Sequence, residues 1–90
     1  MVIKKCDDRT GRVTVTFMLE TQEDGLGEVY LVGDFNDWNP NANPMYHGQN
    51  GMWWLSLDLE PNQNYEFRYR TADGEWIDDP SSESLVSTAV

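Results

Sequence analysis

The sequence predicts an all-β, immunoglobulin-like sandwich that forms a single domain. Apolar and polar residues alternate over several short segments, which is the pattern of half-buried strands. Turn signals separate these segments every 8–12 residues or so, as in β-sandwiches. No segment has apolar residues at a 3.6-residue spacing, so we expect no helix longer than a turn. The chain has 90 residues, enough for one small domain.

The first half of the chain contains two predicted strands. Residues 1–11 end in the turn signal Asp-Arg-Thr-Gly and are taken as an N-terminal extension, and the sandwich itself is predicted over 12–90. A strand over 12–20 follows, because apolar residues occupy every second position on one face. Those residues are Val13, Val15, Phe17 and Leu19. A polar loop over 21–27 leads to a second, shorter strand over 28–33.

The second half alternates turns with strands. Gln49-Asn50-Gly51 predicts a tight hairpin, because Asn-Gly accepts the positive φ angles of a type I′ turn. Asp73-Gly74 is a second hairpin signal of the same kind. The remaining predicted strands lie between these turns and the end of the chain: residues 52–59, 64–71, 75–77 and 85–90. The last of them is incomplete if the chain stops before the end of the domain.

A loop over 34–45 carries two large aromatic residues among Asp, Asn and Pro. We interpret Phe35 as a plug for the core and Trp38 as a flat surface for a ligand. Trp76 also lies in a polar turn, outside any apolar periodicity. By contrast, Trp53 shares a strand face with leucines and is predicted to be core. Trp54, one residue out of that register, is either covered by a neighbouring loop or a secondary contact.

Composition narrows the class of partner. The formal net charge is −10, from 16 acidic and six basic residues. This balance argues against nucleic acid and against anionic membranes, because both require Lys and Arg. No run approaches the roughly 20 apolar residues of a membrane span. A single cysteine, Cys6, excludes an internal disulfide, and the N-terminus has no secretory signal, so we expect a cytoplasmic protein.

The negative net charge does not oppose the binding of a neutral polysaccharide. An indole can lie flat against the C–H face of a pyranose ring with little loss of entropy. Each covered ring contributes roughly 1–2 kcal/mol from apolar burial. Arg68 and Arg70 alternate outward on the strand before Trp76 and are candidate donors to sugar hydroxyls, although the residues taken alone favour simple pairing with the many carboxylates. Binding should be weak, on the order of millimolar to tens of micromolar.

Four blocks of sequence resemble a known family. They are Val-Gly-Asp-Phe-Asn-Asp-Trp at 32–38, Gly-Met-Trp at 51–53, Tyr-Glu-Phe-Arg-Tyr at 65–69 and Asp-Gly-Glu-Trp at 73–76. In this order they resemble the isoamylase N-terminal (early-set) domain, or family 48 carbohydrate-binding module, which includes the glycogen-binding domain of the AMP-activated protein kinase β subunit. The resemblance implies non-catalytic binding of α-glucan, without a cofactor.

The resemblance also implies site residues. The tryptophans of the first and last blocks stack on glucose in glycogen-binding members, and here they are Trp38 and Trp76. A basic residue on the preceding strand contacts hydroxyls; Arg68 matches it best, and Arg70 stays open. Asn36 of the first block is a further candidate for binding carbohydrate.

One departure leaves alternatives open. The family usually continues with a Gly-x-x-Asn turn whose asparagine contacts glucan, and this chain stops at Val90 before such a turn. Either binding is weaker, or the chain is cut short, or the domain binds something else. The alternative function is an interaction module that docks onto a glycogen- or starch-metabolising enzyme without touching sugar. A third possibility is the leading piece of a longer branching enzyme, whose barrel would need over about 200 further residues.

Catalysis and metal binding find little support. Glycoside hydrolysis needs two carboxylates about 5–10 Å apart across a cleft. Asp78 and Asp79 are the obvious candidate pair. A small sandwich, however, has little depth in which to enclose a sugar. His47 is the single histidine, so no histidine-based triad or metal spacing can be built from it. Asp34-x-Asn36 begins like a calcium loop but Trp38 occupies the fifth position. We expect neither an enzyme nor a metal site.

Overall fold

A computed structural model of the chain describes residues 1–20, 27–48, 51–79 and 84–89. These residues form eight strands and one 3₁₀ turn. In chain order they are β1 (Val2–Cys6), β2 (Val13–Glu20), β3 (Val29–Gly33), the 3₁₀ turn (Asp34–Asn36), β4 (Tyr46–His47), β5 (Met52–Leu59), β6 (Asn64–Thr71), β7 (Trp76–Ile77) and β8 (Leu85–Ser87). Within this part of the chain, no helix has the length and apolar character needed to cross a membrane.

The strands form two antiparallel sheets. The first sheet has the order β1-β2-β5-β4 and the second has the order β3-β6-β7, with β8 pairing with β6 as well. Because β7 pairs with Tyr69 and Arg70 while β8 pairs with Asn64 to Glu66, the two short strands follow one another beside β6. The all-β, two-sheet sandwich predicted from alternation is therefore confirmed.

The core lies between the sheets, where their inner faces meet. Along β2, every second residue is buried, as the alternation predicts. The ring centroids of Phe17 from the first sheet and Phe67 from the second are 4.9 Å apart in an edge-to-face arrangement. Such a buried aromatic ring contributes about 1.5–3 kcal/mol from apolar burial. Trp53 is also buried, as expected from its strand register, and the Trp53 ring stacks on His47 of β4.

Two strands were not predicted. Residues 2–6, treated from the sequence as part of an N-terminal extension, form β1 and pair with β2 along its length. The alternation signal is absent there because β1 is an edge strand whose Ile3, Lys4 and Lys5 are all exposed, so backbone hydrogen bonds hold it. Strand β4 has only two residues, too few for alternation to predict a strand, and the loop predicted over 34–45 ends just before it. The predicted turn at Gln49 and Asn50 lies outside the described residues.

Gly33 ends β3 at a point with no room for a side chain. Its φ of −176° is ordinary extended backbone, so space is the constraint. A Cβ at this position would overlap the carbonyl oxygen of Glu66 on β6 and lie 2.9 Å from Cζ of Phe35. Phe35 in turn packs against the core, with its ring centroid 5.5 Å from that of Phe17. The glycine therefore lets the chain close onto β6 while Phe35 plugs the core as predicted.

We expect Gly33→Ala to lower the free energy of unfolding by about 2–3 kcal/mol, because a backbone carbonyl cannot move aside as a side chain can. Urea denaturation followed by tryptophan fluorescence measures this change. Gly48→Ala is the matched control: its Cβ would meet the carbonyl oxygen of Met52 at 3.4 Å, an ordinary contact. Equal losses for the two variants would show that the approach of Gly33 to β6 is not the constraint.

Candidate functional site

Trp38 is held in a tight loop at the end of β3. Asp37 and Trp38 both have positive φ angles, 57° and 58°, which are uncommon for residues other than glycine. The Trp38 amide donates a hydrogen bond to the carbonyl oxygen of Gly33 at 2.9 Å, which closes the loop. The indole Nε1 donates to Oδ1 of Asp34 at 2.8 Å. This bond fixes the ring, while 37% of the residue remains exposed.

Asp34 connects this loop to β6. While Oδ1 accepts the Trp38 indole, Oδ2 accepts the backbone amide of Glu66 at 2.8 Å. These two hydrogen bonds, that of the Glu66 amide first and that of the Trp38 indole second, hold the pKa of the Asp34 carboxyl below its ordinary value, against a small opposing effect of desolvation. The sequence search missed Asp34 as an orienting residue. The available signal was a carboxylate four positions before a tryptophan in a short turn.

Trp76 lies beside two arginines on the outer face of the second sheet. It is directly opposite Arg70 in the β6–β7 pair. The guanidinium carbons of Arg68 and Arg70 each lie 5.4 Å from the Trp76 ring, within the range of cation–π attraction. Arg68 also donates from Nε to Oδ1 of Asp78 at 2.8 Å. The arginines thus hold the Trp76 indole at the surface, where 42% of the residue is exposed.

Arg70 is the more enclosed of the two arginines. Its Nε is buried and has no hydrogen-bond partner among the described residues. Gly74, in the β6–β7 turn, lies directly against its guanidinium: a Cβ on Gly74 would be 3.2 Å from Nη2. Gly74 also has a φ of +89°, a conformation that other residues adopt at a cost. The hairpin glycine predicted from Asp73-Gly74 therefore shapes the turn and leaves space for Arg70.

Asn36 is placed differently from the other predicted site residues. Its Nδ2 donates to the carbonyl oxygen of Leu31 at 2.9 Å and to Oδ1 of Asn43 at 2.7 Å, and its Oδ1 accepts the Gly33 amide at 3.1 Å. Both amide protons are therefore used within the protein. In this structure Asn36 holds the 34–45 loop against β3, and its contact with carbohydrate stays a prediction.

The two exposed indoles are both connected to strand β6. Asp34 ties Trp38 to β6 at Glu66, and Trp76 pairs with β6 at Arg70. Four residues of a strand span about 13 Å, and Arg68 lies between these two anchor points. Arg68 and Arg70 thus lie on β6, Trp76 lies opposite it and Trp38 is connected to it through Asp34, whereas the Asn36 amide bonds to β3 and to Asn43.

The neighbouring carboxylates do not form a pair. Asp78 is exposed and bound to Arg68, whereas Asp79 is buried, accepts the Tyr69 hydroxyl at 2.8 Å and lies 2.6 Å from the Met1 ammonium. They thus occupy different environments, as expected for adjacent residues of extended chain. Within the described ranges, no three His, Cys, Asp or Glu side chains are placed to hold a metal ion.

The fold is that of a small β-sandwich module, and comparison with known proteins gives its family. The family model of carbohydrate-binding module 48, the isoamylase N-terminal domain, matches residues 27–82. The chain belongs to this family, a non-catalytic type of binding module. The finer likeness to the β subunit of the AMP-activated protein kinase stays a prediction.

Similar curated proteins are much longer than this chain. The chain is 31% identical over 78 residues to the chloroplastic/amyloplastic 1,4-alpha-glucan-branching enzyme 1 of Pisum sativum. This match covers 69% of the chain and 9% of that enzyme. It is 43% identical over 47 residues to the branching enzyme GlgB 2 of Xanthomonas campestris pv. campestris strain 8004, covering 51% and 6%. It is 39% identical over 51 residues to the branching enzyme GlgB of Deinococcus radiodurans, and that match covers 56% of the chain and 7% of the enzyme. The chain thus spans less than a tenth of each relative.

The lowered pKa of Asp34 predicts how the Trp38 loop responds to acid. A carboxyl with a depressed pKa stabilises the fold above its unfolded pKa, near 3.9, and this contribution is lost as pH falls through the lower folded pKa. Trp38→Phe removes the smaller of the two causes, so the pKa of Asp34 should move only part of the way back. Carboxyl chemical shifts measured by NMR against pH test this; complete restoration in the variant would make the indole, not Glu66, the main cause.

Gly74→Ala should disturb Trp76 as well as the turn. The positive φ alone costs about 1 kcal/mol, and the added Cβ also displaces the Arg70 guanidinium that lies against the ring. Gly11→Ala is the matched control, because Gly11 has a φ of +72° but nothing within 4 Å of the new Cβ. We expect both variants to lose stability in urea and only Gly74→Ala to shift the Trp76 indole resonance. An unchanged Trp76 resonance in Gly74→Ala would contradict this coupling.

Proposed function

We propose that this domain binds α-glucan (glycogen, starch or maltooligosaccharides) without catalysis, by stacking glucose units on Trp38 and Trp76. The observation that carries the proposal is the presence of two exposed, internally fixed indoles, one connected to β6 through Asp34 and one opposite β6, in a domain that belongs to a carbohydrate-binding family. Arg68 and Arg70, which flank Trp76, supply donors for sugar hydroxyls. The branching enzymes that resemble the chain are named for 1,4-alpha-glucan, which supports this choice of ligand.

The fixed rings favour binding because little motion is lost when the sugar arrives. The Trp38 indole is held by Asp34, and the Trp76 indole is held by two guanidinium groups. Pre-organised aromatic rings lose little conformational entropy on contact, so most of the gain from apolar burial is retained. Since Nε1 of Trp38 is already bonded to Asp34, Trp38 offers its ring face rather than its N–H group. Two such rings contribute roughly 2–4 kcal/mol together, so affinity for a short oligosaccharide is weak.

Mobility in a native gel that contains glycogen tests this function. We expect glycogen to retard the wild-type domain, and Trp76→Ala or Trp38→Ala to remove most of the retardation. Trp76→Phe is the matched control, because it keeps a flat ring beside the arginines and should retain part of the binding. Circular dichroism verifies that each variant is folded. Wild-type mobility that is the same with and without glycogen would refute the proposed function.

A second candidate is docking onto a larger enzyme without contact to sugar. The chain spans 9% of its Pisum relative, and its net charge is −10, so an acidic module could pair with a basic protein surface. Salt separates the two functions. Binding to a neutral glucan should change little between 50 mM and about 500 mM salt, whereas docking through opposite charges weakens steeply as screening increases. A glycogen pull-down at both concentrations therefore discriminates between them.

A further inference from the structure

A second group of exposed aromatic residues lies on the other sheet. On the outer face of the first sheet, one cross-strand row consists of large, mainly apolar side chains: Met1, Met18, Trp54 and Tyr46. Trp54 is 40% exposed and Tyr46 is 60% exposed. Trp54 alternates with Trp53, which faces the core, so its ring points away from the sandwich interior. Exposed aromatic residues in a row require an explanation in a domain with so small a core.

The two rings form a fixed pair. Their centroids are 5.0 Å apart with 36° between the ring planes, which is the tilted contact that aromatic rings favour. Gly48 lies beside the Trp54 ring, since a Cβ there would be in ordinary contact with Nε1 of Trp54 at 3.7 Å. Neither Nε1 of Trp54 nor the hydroxyl of Tyr46 has a hydrogen-bond partner among the described residues. The pair thus presents both ring surface and unused polar groups, in contrast to Trp38, whose Nε1 is occupied.

Polar cross-strand pairs continue the same face. The hydroxyls of Thr16 and Ser56 lie 2.7 Å apart in the next row, and the Thr14 hydroxyl donates to Asp58 at 2.7 Å in the row after that. All four side chains lie on the outer side of β2 and β5, two and four positions from the aromatic row. Hydroxyl and carboxylate groups beside exposed rings match the mixed character of a sugar, which presents C–H faces and hydroxyl edges.

We propose that Trp54 and Tyr46 form a second carbohydrate platform, which takes a segment of neutral oligosaccharide along the polar rows of the first sheet. The ligand class rests on the proposed function, whereas the location rests on this face alone. A protein partner suits the face less well. A specific protein interface buries about 800 Å² on each side around an apolar centre, and here a single apolar row gives way to hydrogen-bonded polar pairs.

The position of the platform gives it a distinct consequence. Trp54 and Tyr46 belong to the first sheet, whereas Trp76 belongs to the second, on the other side of the core, and Trp38 is connected to that second sheet through Asp34. A short oligosaccharide therefore contacts one set of rings at a time. A polymer can engage both, which raises the effective affinity by avidity and allows one domain to hold two glucan segments.

The test follows each tryptophan separately. The chain has four tryptophans, so a ¹⁵N–¹H spectrum resolves four indole signals, assigned by substitution. Maltoheptaose is titrated into wild type and into Trp76→Ala. We expect the Trp54 indole signal to shift in both proteins with the same dissociation constant, within twofold, because the platform does not depend on Trp76. Tyr46→Ala should weaken the response of Trp54 at least threefold and leave that of Trp76 unchanged.

Each outcome decides a different point. If Trp38 and Trp76 shift on titration and Trp54 does not, the second platform is refuted while the proposed function stands. A Trp54 response that disappears in Trp76→Ala also refutes it, because the rings would then belong to one site. If only Trp54 responds, the proposed role of Trp38 and Trp76 fails and the platform is supported. A domain that shows no shift with maltoheptaose at any indole refutes both, and binding of a protein to this face would then explain its aromatic row.

Discussion

The close approach of the end of β3 to β6 is the constraint on which the rest of this structure depends. Gly33 pairs with Phe67, and its lack of a side chain lets the Glu66 carbonyl come into contact with its backbone. One residue further, the Asp34 carboxylate accepts the Glu66 amide in place of a backbone carbonyl. The ladder is thus extended by a side chain while the main chain turns away. Because Asp34 also accepts the Trp38 indole, this bond to the Glu66 amide fixes where the following loop and Trp38 lie.

The same junction links the core to the proposed site. Immediately after Gly33, Phe35 packs into the sandwich and Asp34 faces solvent, so one short turn closes the core and orients an indole. A change at Gly33 therefore acts on both stability and binding. The Trp76 end is organised differently, because cation–π contacts from Arg68 and Arg70 support the ring without a hydrogen bond to its Nε1 among the described residues. Two tryptophans with the same proposed role are thus held by different physical interactions.

The long strands were predictable because their side chains report burial directly. Val13 to Leu19 alternate with a period of two, and the structure buries every residue on the predicted face. Edge strands give no such signal: β1 has exposed lysines and is defined by backbone pairing with a partner that is distant in sequence. The burial of Met45 against the core likewise depends on its amide bonding to Val29, a contact that alternation does not encode.

The site was predictable in part. Exposure of Trp38 and Trp76 followed from their polar surroundings and from the family resemblance, whereas the internal use of Asn36 did not, because an amide in a loop serves a ligand or the backbone equally well by composition. Arg70 shows the same limit: the alternation predicts that it faces outward, but not that its Nε is buried or that its guanidinium lies beside Gly74. Only the three-dimensional contacts show which side chains are bonded within the protein and which are available to a ligand; the residue type does not.

The central claim is that the exposed indole faces, and not the charges of this acidic domain, contact the sugar. Intermolecular nuclear Overhauser effects between ring protons of Trp76 or Trp38 and the C–H protons of maltoheptaose measure that contact directly. We predict effects to C–H protons on one face of a glucose ring from both tryptophans. Effects confined to other residues, with none to either indole, would contradict it.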